Sequence, residues 1–162
     1  MSARLRLPGS PWRRHRAFTL VEVVMVIGMI ALLASIAIPR YDGAVAQYRA
    51  DLAARRIAAD LQLTRAEARA TGKSLSVTFD LAGQSYDIVG LPDWRHPSQD
   101  YHVNVNETPY HATLLKVSFA GATTATFNAY GVPSAAGAVV VTAGAATRTV
   151  TLEADSGTAT VQ

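Results

Sequence analysis

Phe18-Thr19-Leu20-Val21-Glu22-Val23-Val24-Met25-Val26-Ile27-Gly28-Met29-Ile30-Ala31-Leu32-Leu33-Ala34-Ser35-Ile36-Ala37-Ile38-Pro39 is the stretch on which the reading of this chain turns. Residues 18–38 are 21 positions interrupted only by Thr19, Glu22 and Ser35, with Gly28 the one small breaker. As a helix rising about 1.5 Å per residue they span roughly 31 Å, enough to cross a hydrocarbon core. A transmembrane helix is the plain expectation. Two residues complicate it: Glu22 puts a carboxylate near the start of the span, and Pro39 closes it.

Working outward, the flanking charge is one-sided. Residues 1–17 hold Arg4, Arg6, Arg13, Arg14 and Arg16 and no acid, whereas the rest of the chain has 10 basic and 12 acidic residues. The net charge of +3 is therefore a +5 leader in front of a chain of −2. A basic block before a long apolar run is the layout of a membrane-insertion signal with its arginines on the cytoplasmic side. The 162 residues suit one modest domain plus an extra element, and 17% charged residues is too few for a disordered chain or a coiled coil. With no cysteine, disulfides and thiolate metal sites are excluded.

Glu22 admits two readings. Near the end of the span its carboxylate can snorkel to the headgroups, or it can meet a cation in an assembled state, such as an amino terminus made by cutting before Phe18. The residues Arg16-Ala17-Phe18-Thr19-Leu20-Val21-Glu22 resemble the class III signal of type IV pilins and type II secretion pseudopilins, and the agreement in spacing extends over residues 12–41. That signal has a basic leader, a small residue before the cut, Phe as the first mature residue and Glu as the fifth. The resemblance implies cleavage by a prepilin peptidase between Ala17 and Phe18, N-methylation of Phe18, and pairing of Glu22 with the Phe18 amine of a neighbouring subunit. It also implies a helix kink at Pro39, the twenty-second mature residue. Ala17 departs from the family's usual Gly, which the peptidase generally tolerates. A competing expectation is an ordinary signal-peptidase cut after Ala34-Ser35-Ile36-Ala37, releasing a protein that begins at Ile38. Against it stand the length of the apolar run and the acid within it.

Past Pro39 the helical pattern continues. Tyr41, Val45, Tyr48 and Leu52, then Ile57, Leu61, Thr64 and Ala68, step by three and four residues and predict a buried stripe. Asp51/Arg55 and Asp60/Thr64 are expected on the opposite, solvated face. Thr71-Gly72 ends the helix, with Gly72 at the cap. Together with the resemblance, this pattern implies four segments: a cytoplasmic leader over 1–17, a transmembrane and polymerisation helix over 18–38, its amphipathic continuation over 39–72, and a periplasmic β-rich head over 73–162.

In the head, Leu75, Val77 and Phe79 alternate with Ser76 and Thr78, and 81–84 turn into Tyr86-Asp87-Ile88, a hairpin. Residues 91–112, with three prolines and three histidines, are expected to be loop. Further strands are expected at 113–119, 124–128, 138–143, 147–153 and 158–162. The fold class is α+β: one long helix packed on an antiparallel sheet. Phe127-Asn128-Ala129-Tyr130-Gly131, the apolar strand 138–141, Thr149-Val150-Thr151-Leu152 and Gly157 resemble the head of GspH/FimT minor pseudopilins and minor pilins. The helix end 64–73 is similar to that group as well.

This resemblance implies a structural subunit, inserted in the inner membrane as a single pass, extracted into a periplasmic filament, and dealing with other pseudopilins or pilins, the peptidase and an inner-membrane assembly platform. No enzyme activity is expected, for the chain has no phosphate loop, H-E-x-x-H or nucleophile elbow. No cofactor is expected either. His96, His102 and His111 with Asp93 and Asp100 fit no standard metal spacing and read as solvated loop residues. Trp94 and Tyr101 are expected to pack that loop on the sheet, the alternative being a patch for a partner. Two roles are compatible with the resemblance: a pseudopilus subunit in type II secretion, or a FimT-like minor pilin in DNA uptake or pilus assembly. Beyond Lys73 the only basic residues are Arg95, Lys116 and Arg148, which favours secretion and makes DNA an unexpected partner. The missing cysteines also disfavour the disulfide loop of many major pilins.

Overall fold

A 52-residue helix, α1, runs from Leu20–Thr71. The computed structural model describes residues 18–94 and 96–162, without the side chains of 37–40. The expected leader, Ala17 included, and Arg95 lie outside the described residues. Thr19 starts the helix as its N-cap: its Oγ1 accepts a hydrogen bond from the Glu22 backbone N–H at 3.2 Å, the first half of an S/T-x-x-E capping arrangement. Gly72, at φ +64°, ends it, as its place after Thr71 predicts. The helix passes through Pro39, and the chain divides into two compact units between Ile38 and Pro39.

In the first unit the apolar side chains are exposed: Leu20, Val21, Met25, Ile27, Ile30 and Leu33 among them. The helix is long and apolar enough to cross a membrane, and none of its most apolar window is buried within the chain.

The second unit holds the rest of α1 and eight strands, β1 (Leu75–Asp80), β2 (Ser85–Pro92), β3 (Asp100–Asn104), β4 (Thr113–Phe119), β5 (Thr124–Phe127), β6 (Gly137–Ala143), β7 (Ala146–Leu152) and β8 (Ala159–Val161). They form two four-stranded antiparallel sheets, ordered β3-β2-β1-β5 and β4-β6-β7-β8. The single sheet of the sequence reading thus becomes two. The expected β1–β2 hairpin is present, with Asp80 opposite Ser85. One strand was hidden: β3 lies inside the segment read as loop, pairing Tyr101 with Ile88 and Val103 with Tyr86. Its alternation of Tyr101, Val103 and Val105 with His102 and Asn104 is a strand pattern masked by the surrounding prolines.

The helix contributes Ala50, Ala53, Ala54, Ile57, Ala58, Leu61 and Ala68 to one core that also contains Val77, Tyr86, Ile88, Phe127, Val139 and Val150. Full burial of a side chain such as Ile57 or Leu61 stabilises by about 1.5–3 kcal/mol. The second predicted stripe is therefore correct, whereas Tyr41 and Tyr48 of the first are 71% and 67% exposed. Between 50 and 54 the buried face is made of alanines, Ala50, Ala53 and Ala54. Apolar periodicity that gives weight to side-chain size passes over such a face. The second correction concerns Asp60, read as solvated and found 4% exposed; Thr64, which the sequence places both on the stripe and beside Asp60, is 0% exposed and belongs to the stripe.

Candidate functional site

Two regions carry charged groups whose positions demand an explanation. The first is the opening turn of α1. Phe18, Glu22, Val23, Val26 and Ile27 surround a shallow hollow of about 220 Å³ with an apolar lining apart from the carboxylate. Glu22 lies in the first turn, where the unpaired N–H groups of a helix favour negative charge. Among the described residues it has no ion-pair partner. The sequence-predicted residues Phe18 and Glu22 thus share one end of an exposed apolar helix, and Ala17 lies outside the described residues.

The second region is a cluster that sequence reasoning missed. Tyr86 Oη donates to Asp60 Oδ2 at 2.6 Å, Arg56 Nε donates to the same oxygen at 3.0 Å, and Tyr101 Oη lies at 3.4 Å from it. The Arg56 guanidinium also stands 5.7 Å from the centre of the Tyr101 ring. Thr64 Oγ1 donates to the Asp60 carbonyl at 2.7 Å, so its buried hydroxyl is satisfied. Burial pushes the Asp60 carboxyl above its ordinary value against the hydrogen bonds from Tyr86 and Arg56. Burial likewise lifts the Tyr86 phenol well above its ordinary value, reinforced by the Asp60 charge. Burial works against the Arg56 charge, but Asp60 and the neighbouring tyrosines leave the guanidinium above its ordinary value. One detectable signal existed: Asp60 falls on the stripe of Ile57, Leu61 and Thr64, and an acid on an apolar helix face requires a partner.

Around these regions, side chains tie α1 to the head. Asp51 receives Arg55 at 2.6 Å, the pairing expected at that spacing, and Arg148 of β7 at 3.7 Å. Near the end of α1, Arg69 Nε donates to the Tyr130 carbonyl at 2.8 Å. Asn128 Oδ1 accepts from the N–H groups of Tyr130 and Val132, shaping the turn in which Gly131 adopts φ +72°. The segment 127–131 is therefore a strand end running into a turn that docks on the helix terminus.

The histidine loop is dispersed. His102 Nδ1 is 2.6 Å from Asp87, His96 Nδ1 is 3.6 Å from Asp93, and His111 Nε2 is 3.2 Å from Thr108 Oγ1. Among the described residues, no group of three His, Cys, Asp or Glu side chains could hold a metal ion. Tyr101 packs as expected, half-buried beside Asp60, but Trp94 is 76% exposed.

A long amino-terminal helix leading into an antiparallel β head is the fold of the pilin and pseudopilin class. Solved structures with this fold include the type IV minor pilin FimU of Pseudomonas aeruginosa, 16% identical, with TM-score 0.52 over 69% of this chain and 91% of that one. The minor pseudopilin EpsH from the Type 2 Secretion System of Vibrio cholerae is 14% identical, with TM-score 0.53 over 70% of this chain and 96% of that one. Residues 53–157 match the model of the type II transport protein GspH family, and this chain belongs to that family. Residues 12–38 match the prokaryotic N-terminal methylation motif. Among curated proteins, none matches the chain significantly.

Proposed function

We propose that this protein is a minor pseudopilin, a structural subunit of the pseudopilus in a type II secretion system. The observation that carries this reading is the first half of α1, an apolar helix that, among the described residues, is not buried and bears one carboxylate without an ion-pair partner. Such a surface is covered either by lipid or by the equivalent helices of other subunits. In this account residues 1–17 are the cytoplasmic leader, cut by the prepilin peptidase between Ala17 and Phe18, and Phe18 is N-methylated. Residues 18–38 anchor the protein in the inner membrane as a single pass, with 39–72 and the head 73–162 in the periplasm. In the filament, reached through the inner-membrane assembly platform, Glu22 neutralises the Phe18 amine of a neighbour and sets the axial stagger between them. A carboxylate left unpaired in that bundle costs about 3–5 kcal/mol. Pro39, which lacks a backbone N–H, supplies a kink or a soft point where the helix leaves the bundle.

Secretion is favoured over DNA capture by the charge of the head. Arg148, one of its few basic residues, is engaged with Asp51 rather than with a cationic patch. The test is Glu22→Ala in the producing cell, with leader cleavage, filament cross-linking and secretion followed together. Normal cleavage with cross-linking and secretion reduced at least about tenfold is expected from loss of a charge pair of this kind. Undiminished incorporation of the variant contradicts the pairing, and a null strain that secretes normally but fails to take up DNA contradicts the secretion role.

A further inference from the structure

Strand β3 is an edge of its sheet, and it lines a cavity of about 550 Å³ within the second unit. Tyr101, His102, Val103 and Asn104 all contribute to that lining. Successive side chains of a strand point to opposite faces, so a hollow lying over one face would be lined by every second residue. Consecutive residues line it together where it runs along the edge itself. The remaining lining comes from Arg56 of α1, from Asp93 and Trp94 before the strand, and from residues 107–110 after it.

The ladder fixes which backbone groups are open. Val105 N–H donates to the Gln84 carbonyl at 2.9 Å, and the register places Val103 opposite Tyr86 and Tyr101 opposite Ile88. Bonded positions alternate along an antiparallel pair, so Tyr101 and Val103 bond inward to β2 while the N–H and C=O groups of His102 and Asn104 point outward. Among the described residues, none of these outward groups has a hydrogen-bond partner. They repeat at about 6.8 Å, the interval at which another strand presents its own donors and acceptors. The edge of β4 is closed differently, for its Leu114 N–H donates to Gln84 Oε1 at 2.6 Å. Nor does β3 carry the lysine or proline that commonly guards an edge.

Charge says what kind of strand fits. Asp93 and Glu107 put two carboxylates in the groove, and Asp100 begins the strand. The arginine that lines it, Arg56, is committed to Asp60 at 3.0 Å. Tyr101, Val103 and Tyr110 supply apolar surface beside these acids. We propose that this edge receives an extended segment of a partner protein, paired main chain to main chain with His102 and Asn104. Its side chains alternate between basic ones, which meet Asp93 and Glu107, and apolar ones, which pack against Tyr101 and Tyr110. The four residues of β3 offer about 14 Å of edge, enough for a guest of four or five residues. Nothing in this pairing depends on residues 1–38.

The experiment uses the full chain in detergent micelles with Trp12→Phe, which leaves Trp94 as its only tryptophan and as a reporter lining the groove. The probe is the pentapeptide acetyl-Lys-Val-Lys-Val-Lys-amide, compared with acetyl-Glu-Val-Glu-Val-Glu-amide and with the lysine peptide methylated on every backbone nitrogen. Trp94 fluorescence gives the dissociation constants, and hydrogen exchange gives the protection of the His102 and Asn104 amides. The lysine peptide should bind about fivefold more tightly than the glutamate peptide, the scale of two exposed charge contacts. It should also slow exchange at both amides about fivefold, the scale of one net hydrogen bond. Glu107→Gln should weaken its binding about twofold to threefold. His102→Pro removes one outward N–H, leaves the inward bonds of Tyr101 and Val103 in place, and should abolish binding in a chain that circular dichroism shows to be folded. The methylated peptide, expected not to bind, tests the same main-chain pairing without altering the protein. Equal or tighter binding of the glutamate peptide, equal binding of the methylated peptide, unchanged exchange at His102 and Asn104, or no binding of the lysine peptide at millimolar concentration overturns the pairing.

Discussion

Removing the Asp60 carboxylate should destabilise the head through one buried hydroxyl more than through the loss of an ion pair. In Asp60→Ala, Tyr86 Oη loses its acceptor at 2.6 Å while Tyr86 stays fully buried. An orphaned buried hydroxyl costs about 1–3 kcal/mol. Arg56 loses a partner at 3.0 Å, but its side chain is 41% exposed, so water takes over and the loss is about 0–1 kcal/mol. Relief of the buried carboxylate's desolvation offsets part of this, leaving a net loss of about 2 kcal/mol. Tyr86→Phe alone should cost about 1 kcal/mol, the net worth of a hydrogen bond. The double variant has no orphaned hydroxyl, so it should lose about 1–1.5 kcal/mol less than the sum of the two single variants. Urea denaturation of residues 39–162, the second compact unit, followed by circular dichroism gives all four free energies. Additivity within about 0.5 kcal/mol would show that Asp60 and Tyr86 are not coupled and would refute the argument.

Two further outcomes follow from the same geometry. Burial raises the folded-state value of Asp60 above its ordinary 3.8, so the folded head binds that proton more tightly than the unfolded chain. The stability it contributes is complete below 3.8 and is lost as pH rises through the folded value; measured against Asp60→Asn, wild-type stability should fall over that interval, and a rise would contradict the assignment. Gly131→Ala puts a Cβ at a φ of +72° and 2.5 Å from Arg69 Nε, displacing the arginine that holds the Tyr130 carbonyl. Denaturation should show a loss of about 2 kcal/mol, from backbone strain and the lost contact together, and an unchanged midpoint would mean that this turn does not depend on glycine.

The fold was readable where residue size and period agree. Residues 18–38 and the stripe of Ile57, Leu61 and Ala68 announce a helix, and Leu75, Val77 and Phe79 announce a strand. The exposure of Tyr41 and Tyr48 was not readable, because the face that turns inward beyond them consists of Ala50, Ala53 and Ala54, whose small volume leaves a weak periodic signal. Strand β3 escaped because Pro92, Pro97 and Pro109 flank it, although only the five residues between Asp100 and Asn104 pair. The split into two sheets depends on long-range pairing, such as β4 with β6, that no local pattern encodes. The opening turn was legible because a carboxylate in an apolar run is anomalous anywhere. The Asp60 cluster was less so, for its partners Tyr86 and Tyr101 are 26 and 41 positions away.

Central to the account is an amino terminus created at Phe18 with the apolar helix retained behind it, since the charge opposite Glu22 depends on that cut. Mass spectrometry of the mature protein purified from the producing cell tests this directly. The account predicts a chain that begins with N-methylated Phe18; a mature chain that begins at Ile38, lacking Glu22 and the apolar helix altogether, would contradict it.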